Sequence, residues 1–212
     1  MVEPGDIVVG SVRRIDGHDV IVDVNGFEAW LPKREQVQGE VYRLGDRMIM
    51  HVVEAVMTPA GSRTIVSRAS KDLLERLLEM EAPEIHQKQV RIEACAREPG
   101  VQSKVAVASE RDDVDPVAAC IGENGSRAEA VRRELRGERI DIFPWDANPA
   151  RFVCSAMAPA EVSRVIIDTT THTLQVSVDD DQLSMAVGKN GLNLRLASLV
   201  TDWNIEIKLA KR

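Results

Sequence analysis

Two short glycine loops are the part of this sequence whose residue types and spacing could bind a ligand. The strings IGENG and VGKNG occupy positions 121–125 and 187–191, so Gly188 follows Gly122 by 66 residues. Each loop interrupts a helical pattern, and its glycines allow the backbone to approach a ligand closely. The helix that begins after the loop presents free N–H groups and the positive end of its dipole, which favour an anion. The pattern therefore predicts a phosphate-binding loop that is built twice.

The spacing of the glycines separates two kinds of phosphate loop. A nucleotide-hydrolysing P-loop requires GxxxxGK[ST], which neither string contains. A GxxG loop between two helices is typical of the KH module, where it clamps the backbone of about four nucleotides. The alternative is a tight turn between two helices with no ligand, and it is the stronger alternative for the first loop.

The second loop has more phosphate ligands than the first. Its variable positions are a lysine and an asparagine, and two further polar side chains follow about one helical turn later. Side chains of this kind contact the phosphate and sugar oxygens of nucleic acids. For Arg195, a solvated helix face with no ligand is an open alternative. The predicted RNA-binding residues of this loop are Gly188, Lys189, Asn190, Gly191, Asn193 and Arg195.

A carboxylate stands in the first loop where the anion should bind. A carboxylate repels a phosphate at such short range, so the loop needs a compensating cation. Arg127, in the next helical turn, is the predicted source. Arg132 and Arg133 either assist it or lie on a solvated face, paired with glutamates. The predicted RNA-binding residues here are Gly122, Glu123, Asn124, Gly125 and Arg127.

The elements around the loops repeat together with them. At the same offset Asp115 aligns with Asp181 and Ile121 with Val187, and each unit has a strand hairpin before its loop and a closing strand after it. A repeat with matching flanks is far more specific than a single GxxG. We therefore predict two α/β KH domains at 87–147 and 148–212, preceded by a connecting helix within 70–86.

Residues 1–69 show an all-β pattern instead. Short runs rich in Val and Ile alternate with turn signals, among them Asn25-Gly26 and Pro59-Ala60-Gly61. About five such strands fit a small closed barrel of the OB type, which makes the whole chain a multidomain α+β protein. OB barrels bind single strands through aromatic side chains and scattered cations, so Trp30 and Arg34 are predicted RNA-binding residues. A core position for Trp30 is an equal alternative.

Composition and net charge exclude several classes of function. The chain of 212 residues has a net charge of −7 and no strongly basic segment, so RNA contacts must come from local loops. Cys95, Cys120 and Cys154 are widely spaced among apolar residues, which indicates buried thiols in a reducing cytoplasm. No metal-ligand spacing and no secretion or membrane-spanning pattern is present. We expect a cytoplasmic monomer with no metal, no cofactor and no membrane partner.

The order of these elements resembles one known family. The strings EAWLPKREQVQGEVYRLGDR, ELRGERIDI, DDQLSMAVGKNG and LNLRLAS lie within a barrel, a connecting helix and two GxxG units. Together they resemble the NusA family of bacterial transcription termination/antitermination factors, over nearly the whole chain. The resemblance implies an S1-type barrel and two type II KH domains packed as one extended RNA surface. It also implies a non-enzymatic factor that binds nascent single-stranded RNA, with RNA polymerase and other transcription factors as partners.

The sequence departs from this family in three places. The polymerase-docking domain that precedes the barrel in family members has no counterpart in these residues. The first KH loop of the family usually has a proline or basic residue where this chain has Glu123. The hairpin turn that usually reads Pro-Gly-Ser-Arg is Pro99-Gly100-Val101-Gln102 here. The last two changes weaken the first phosphate clamp, so we predict that the second loop contributes more to RNA affinity.

Two other functions compete with an RNA-binding module of a transcription factor. The acidic balance and Glu123 favour a protein–protein scaffold on the transcription complex, with a weakened first KH clamp. KH and S1 modules also accompany phosphorolytic nucleases, which suggests an RNA-processing enzyme. In those enzymes the KH module precedes the barrel, whereas the order here is reversed. The sequence also lacks a paired-carboxylate, nucleophile–base or metal constellation, so we expect no enzymatic activity.

Overall fold

The N-terminal part of the chain folds into a closed five-stranded barrel. The computed structural model describes residues 2–58 and 61–210. The strands are hydrogen-bonded in the order β1-β2-β3-β5-β4, and only β3 and β5 pair in parallel. Their bounds are β1 (Ile7–Asp16), β2 (Asp19–Val24), β3 (Phe27–Leu31), β4 (Arg47–Thr58) and β5 (Gly61–Ser67).

Alternation of apolar residues builds the barrel core, as predicted. Val20, Val22 and Val24 of β2 are buried in one cluster with inward-facing residues of the other strands. The predicted hairpin turn at Asn25-Gly26 joins β2 to β3, with both residues at positive φ. The predicted turn at Pro59-Ala60-Gly61 includes residues outside the described ranges. The OB-type barrel is confirmed.

Two helices follow the barrel, α1 (Lys71–Glu81) and α2 (Pro83–His86). Ser70 caps α1 by accepting a hydrogen bond from the backbone N–H of Asp72. The buried stripe of α1 lies in one core with Val105 and Val107 of the sheet that follows. Its members are Leu73, Leu74, Leu77 and Leu78. The predicted connecting helix therefore packs as part of the first KH unit.

The two KH units have the same order of elements. The first contains β6 (Val90–Glu98), β7 (Gln102–Ser109), α3 (Pro116–Ile121), α4 (Ser126–Glu134) and β8 (Arg139–Pro144). The second contains α5 (Pro149–Ala156), β9 (Arg164–Asp168), β10 (Thr173–Val178), α6 (Leu183–Val187), α7 (Leu192–Thr201) and β11 (Asn204–Leu209). Each sheet has a hairpin followed by a parallel closing strand, β7 with β8 and β10 with β11. The predicted repeat is confirmed.

The sheet of the first unit is covered on both faces. Val105 and Val107 of β7 face the core formed with α1, α3 and α4. Ala106 and the neighbouring Phe143 belong instead to the core of the second unit, where Phe143 packs 6.0 Å from Phe152 between ring centroids. Helices α5 and α7 thus lie between the two sheets. The two KH units share one apolar core and hold their loops in a fixed relation.

A buried arginine joins the barrel to the first KH unit. Arg68 is 1% exposed and donates hydrogen bonds to the carboxylates of Glu40 and Glu134 and to two backbone carbonyls. Burial opposes ionisation of Glu40, but the hydrogen bonds and charge of Arg68, together with Tyr42 and Arg136, outweigh it and lower the pKa of that carboxyl. Removal of Arg68 would leave the buried Glu40 carboxylate with Arg136, at 3.5 Å, as its remaining cation.

The β6–β7 turn is a second contact between the barrel and the first KH unit. The fully buried Glu138 accepts hydrogen bonds from the Arg97 side chain and from the Gly100 backbone N–H. A Cβ on Gly100 would lie 2.4 Å from Cγ1 of Val37 in the barrel, so only glycine fits there. This turn, where the family usually carries an arginine, is closely packed against the barrel.

Candidate nucleic-acid interface

The two GxxG loops have the same backbone conformation. The first glycine has φ 77° and ψ 173° at Gly122, and 74° and 172° at Gly188. The second glycine has φ 78° and ψ 11° at Gly125, and 74° and 12° at Gly191. The asparagine between them is left-handed in both copies. The charge difference between the loops therefore lies on an identical backbone.

The two glycines of each loop have different surroundings. A Cβ on Gly188 would lie 2.7 Å from Cβ and 2.8 Å from the backbone N of Asn193. A Cβ on Gly191 would meet nothing within 4 Å, and the same holds for Gly125. The first glycine thus lets two helices pack closely, and the second keeps the outer surface of the loop clear. The clear side is where a phosphate could approach the helix N-terminus.

The Asn193 side chain is buried and donates hydrogen bonds to the backbone of other elements of the second KH unit. The residue is 5% exposed, and its Nδ2 donates to the carbonyls of Ala186 and Met157, both at 3.1 Å. The first carbonyl belongs to α6, and the second follows the end of α5. The sequence predicts that the Asn193 side chain contacts RNA, whereas the structure directs its Nδ2 to these two carbonyls. Its amide instead fixes the angle between the two helices of the motif.

Arg127 occupies the equivalent position in the first loop and has the same role. Its Nη1 donates to the carbonyl of Ala119 at 2.5 Å and to Oε2 of Glu84 at 2.7 Å. A Cβ on Gly122 would lie 2.6 Å from Cγ of Arg127, so the side chain fills the space behind the loop. This guanidinium is therefore paired with Glu84 and not with Glu123, the residue that it was predicted to compensate.

No other cation replaces Arg127 at the first loop. Among residues 2–58 and 61–210, Glu123 forms no ion pair, and its side chain is exposed. Arg132 pairs with Glu129 at 3.1 Å on the surface of α4, as the solvated-face alternative predicts. The first loop thus presents a net negative charge beside its helix N-terminus.

The second loop presents a positive charge. Lys189 is exposed and makes no ion pair within the described part of the chain. Arg195 lies on α7 and donates from Nη2 to Oε2 of Glu98 at 2.6 Å, across the boundary between the units. Lys189 is therefore available to a phosphate, while Arg195 is shared with a carboxylate.

A cleft beside the first loop was not predicted. It encloses about 430 Å³ between α4 and β8 and begins at Gly125. The carboxylate of Asp141 on its floor accepts hydrogen bonds from Arg139 at 2.8 Å and Gln102 at 2.6 Å. In sequence, the closing strand β8 is recognisable from the repeat, because Ile140 corresponds to Ile205 of the second unit. The lining residues are Gly125, Ala128, Glu129, Arg132, Arg139, Ile140 and Asp141.

In the barrel, Trp30 lies on the outer surface and not in the core. Its neighbours Ala29 and Leu31 are fully buried, while the indole is half-buried under Arg63, whose Cζ lies 5.2 Å from the ring centroid. This cation–π pair is an aromatic and cationic surface of the kind that stacks bases. Arg34 is 70% exposed in the side chain and pairs with Glu35 at 3.5 Å. Sequence reasoning missed Arg63.

The described residues contain neither a metal-binding cluster nor a membrane-spanning helix. Within 2–58 and 61–210, no group of three or more His, Cys, Asp or Glu side chains is arranged to hold a metal ion. None of the helices in those ranges is both long and apolar enough to cross a bilayer.

Comparison with known proteins identifies relatives of each KH unit and of the chain. Residues 68–145 match the NusA-like first KH domain, and residues 149–212 match the NusA-like second KH domain. The chain is 42% identical over 203 residues to the transcription termination/antitermination protein NusA of Halalkalibacterium halodurans, covering 96% of this chain and 53% of that protein. Proteins of the same name match at 41% identity in Bacillus subtilis (96% and 55% covered) and 37% in Rickettsia prowazekii (96% and 41%). The chain spans about half the length of the curated relatives it matches.

Proposed function

Because the chain carries the tandem KH domains of the NusA family, we propose that it is the RNA-binding part of a bacterial transcription termination/antitermination factor. Its ligand is single-stranded nascent RNA, and its partners are RNA polymerase and other transcription factors. It acts as a monomer in the cytoplasm and has no enzymatic activity. In this proposal the barrel comprises 1–69, the connecting helix 70–86, and the KH domains 87–147 and 148–212.

The repeated loop geometry is the observation that carries the proposal. Both loops have a packed first glycine, a left-handed asparagine and an unobstructed second glycine before a helix N-terminus. A tight helix–helix turn would need the first glycine but would not need the outer surface to be clear. In both copies the left-handed asparagine and the second glycine leave the helix N-terminus open, which is what a phosphate-binding role requires.

The charge on each loop determines how much that loop contributes to RNA affinity. Lys189 adds a free cation to the second loop, whereas Glu123 adds an uncompensated carboxylate to the first. We therefore infer that the second loop supplies most of the affinity and that the first mainly guides the strand. The residues proposed to bind RNA are Gly188, Lys189, Asn190, Gly191 and Arg195, then Gly122, Asn124 and Gly125, with Trp30 and Arg34 in the barrel.

A pure protein–protein scaffold is not favoured. The relatives that match 96% of the chain are named as transcription termination/antitermination proteins, and both GxxG loops have the same backbone conformation. The weak first clamp alone does not remove RNA binding from a chain whose second clamp carries a cation.

The test is titration of fluorescein-labelled single-stranded RNA with the full chain and with Gly191→Asp. Asp tolerates the left-handed backbone at this position, and a Cβ there meets no atom, so the variant should fold. Its carboxylate would repel the phosphate and raise the Kd by at least about tenfold, or about 1.4 kcal/mol.

The matched control is Gly17→Asp. Gly17 also has a positive φ, 61°, and open space around its Cα, but it lies in the β1–β2 turn of the barrel. This variant adds the same charge and should change the affinity much less. Equal RNA affinity of the parent chain and Gly191→Asp would show that the loop is not a phosphate clamp.

A further inference from the structure

Within the described residues, one ion pair links α7 of the second KH unit to the first KH unit. Arg195 lies on α7, one helical turn after Gly191, and Glu98 is the last residue of β6. Nη2 of Arg195 donates to Oε2 of Glu98 at 2.6 Å, between residues 97 positions apart in sequence. The two side chains are 53% and 39% exposed. Both can therefore be reached by a ligand and by solvent.

Glu98 is held in place by its neighbours. Arg97 is 2% exposed in the side chain and donates to the buried Glu138 and to the Ser70 carbonyl. Gly100 donates to the same carboxylate and packs against Val37 of the barrel. The backbone that carries Glu98 is thus fixed on both sides.

A carboxylate and a phosphate make the same demand on an arginine. Each accepts paired N–H bonds from the guanidinium fork, so one group competes with the other for the best geometry. Within the described residues Arg195 has no other charged partner, and Glu98 has none either. Half of the positive charge near the second loop is therefore neutralised in the free protein, and only Lys189 is unopposed.

We propose that Glu98 of the first KH unit limits RNA affinity by competing with the RNA phosphate for Arg195 of the second. This rests on the proposed RNA-binding function and adds a residue to it. When a phosphate binds beside Gly191, Arg195 donates to the phosphate oxygens and no longer to the Glu98 carboxylate. The affinity of the second loop is thereby set in part by a residue of the first unit.

The experiment compares the full chain with Glu98→Gln, using fluorescein-labelled single-stranded RNA of mixed sequence over a range of salt. Exposed ion pairs of this kind are weak, so the variant should melt like the parent and bind RNA about two- to fivefold more tightly. With Arg195 released to neutralise a phosphate, the slope of log K against log salt should steepen by up to about 0.7.

Two further variants make the result specific. Glu81→Gln removes an exposed carboxylate that forms no ion pair within the described residues, and it should change affinity less than Glu98→Gln. In an Arg195→Gln background, Glu98→Gln should give no more than the small gain seen with Glu81→Gln.

The outcomes separate this inference from the proposed function. A parent chain that binds RNA with a salt dependence, together with a Glu98→Gln variant that binds no more tightly than Glu81→Gln, overturns the inference alone. A gain that persists without Arg195 also overturns it. A parent chain that does not bind RNA overturns the function and the inference together.

Discussion

Replacing each glycine of the second loop with alanine should have very different effects on stability. Gly191 has φ 74° and ψ 12°, a left-handed conformation that costs an alanine about 1–2 kcal/mol. Its Cβ would meet no atom within 4 Å. The reduced entropy of the unfolded chain offsets about 0.5 kcal/mol of this cost. We therefore expect Gly191→Ala to lower the free energy of unfolding by about 1 kcal/mol.

Gly188→Ala should cost considerably more. Its φ of 74° and ψ of 172° lie in a region open almost only to glycine, which costs about 1–3 kcal/mol. The new Cβ would also lie 2.8 Å from the backbone N of Asn193, so α7 must shift, at a further cost of about 1–3 kcal/mol. The sum is about 2–6 kcal/mol, with a central value about 3 kcal/mol above that of Gly191→Ala.

Thermal unfolding followed by circular dichroism measures this difference. For a chain of this size each kcal/mol corresponds to about 2–4 °C in Tm, so the two variants should differ by roughly 6–12 °C. Gly122→Ala provides an intermediate case, since the atom in its way is Cγ of the Arg127 side chain and not a backbone atom. Equal losses of Tm for Gly188→Ala and Gly191→Ala would refute the division of roles between the two glycines.

Four further outcomes are expected. Glu123→Lys should tighten single-stranded RNA binding about two- to tenfold in a fluorescence titration, because it replaces a repelling charge with an attracting one. Arg68→Met should lower the free energy of unfolding in urea by up to about 3–5 kcal/mol, because it leaves the buried Glu40 with Arg136, at 3.5 Å, as its remaining cation, and Glu40→Gln should recover part of the loss. Since the folded pKa of Glu40 is lower than its ordinary value of 4.5, this pair contributes stability above pH 4.5 and loses it as the pH falls below that value. In the native chain a maleimide should label the exposed Cys154 well before Cys120, whose pKa burial raises to about 11.

Each of these expectations has a contrary result. Unchanged RNA affinity in Glu123→Lys would mean that the first loop does not touch phosphates. An Arg68→Met variant as stable as the parent would mean that the barrel junction is solvated in solution. Equal labelling rates for Cys154 and Cys120 would mean that α3 opens readily.

Local patterns made the fold predictable to a large extent. The alternation of Val20, Val22 and Val24 indicated the barrel wall, and the apolar stripe that includes Leu73 and Leu77 indicated α1. The loops could be placed because the glycine spacing and the elements around it recur. The strand and helix signals each lie within about ten residues, and the recurrence at an offset of 66 residues is also visible in the sequence alone.

The roles of individual polar residues could not be predicted in the same way. Asn193 and Arg127 look like phosphate ligands in sequence, but carbonyls and carboxylates of other elements bind them, at Met157 and Glu84. Arg195 is partly neutralised by a residue of the other unit. The buried Arg68 is one of 27 lysines and arginines, and nothing in its local pattern marks it. These contacts depend on packing between segments that are distant in sequence.

The most direct test of the central claim is an NMR titration of the ¹⁵N-labelled chain with single-stranded RNA. If the second loop clamps phosphate, the backbone amides of Lys189, Asn190 and Gly191 should shift most, because their N–H groups approach the anion. The corresponding amides of Glu123 and Asn124 should shift less, since the carboxylate repels the same ligand. RNA binding that leaves the amides of both loops unshifted would contradict the account.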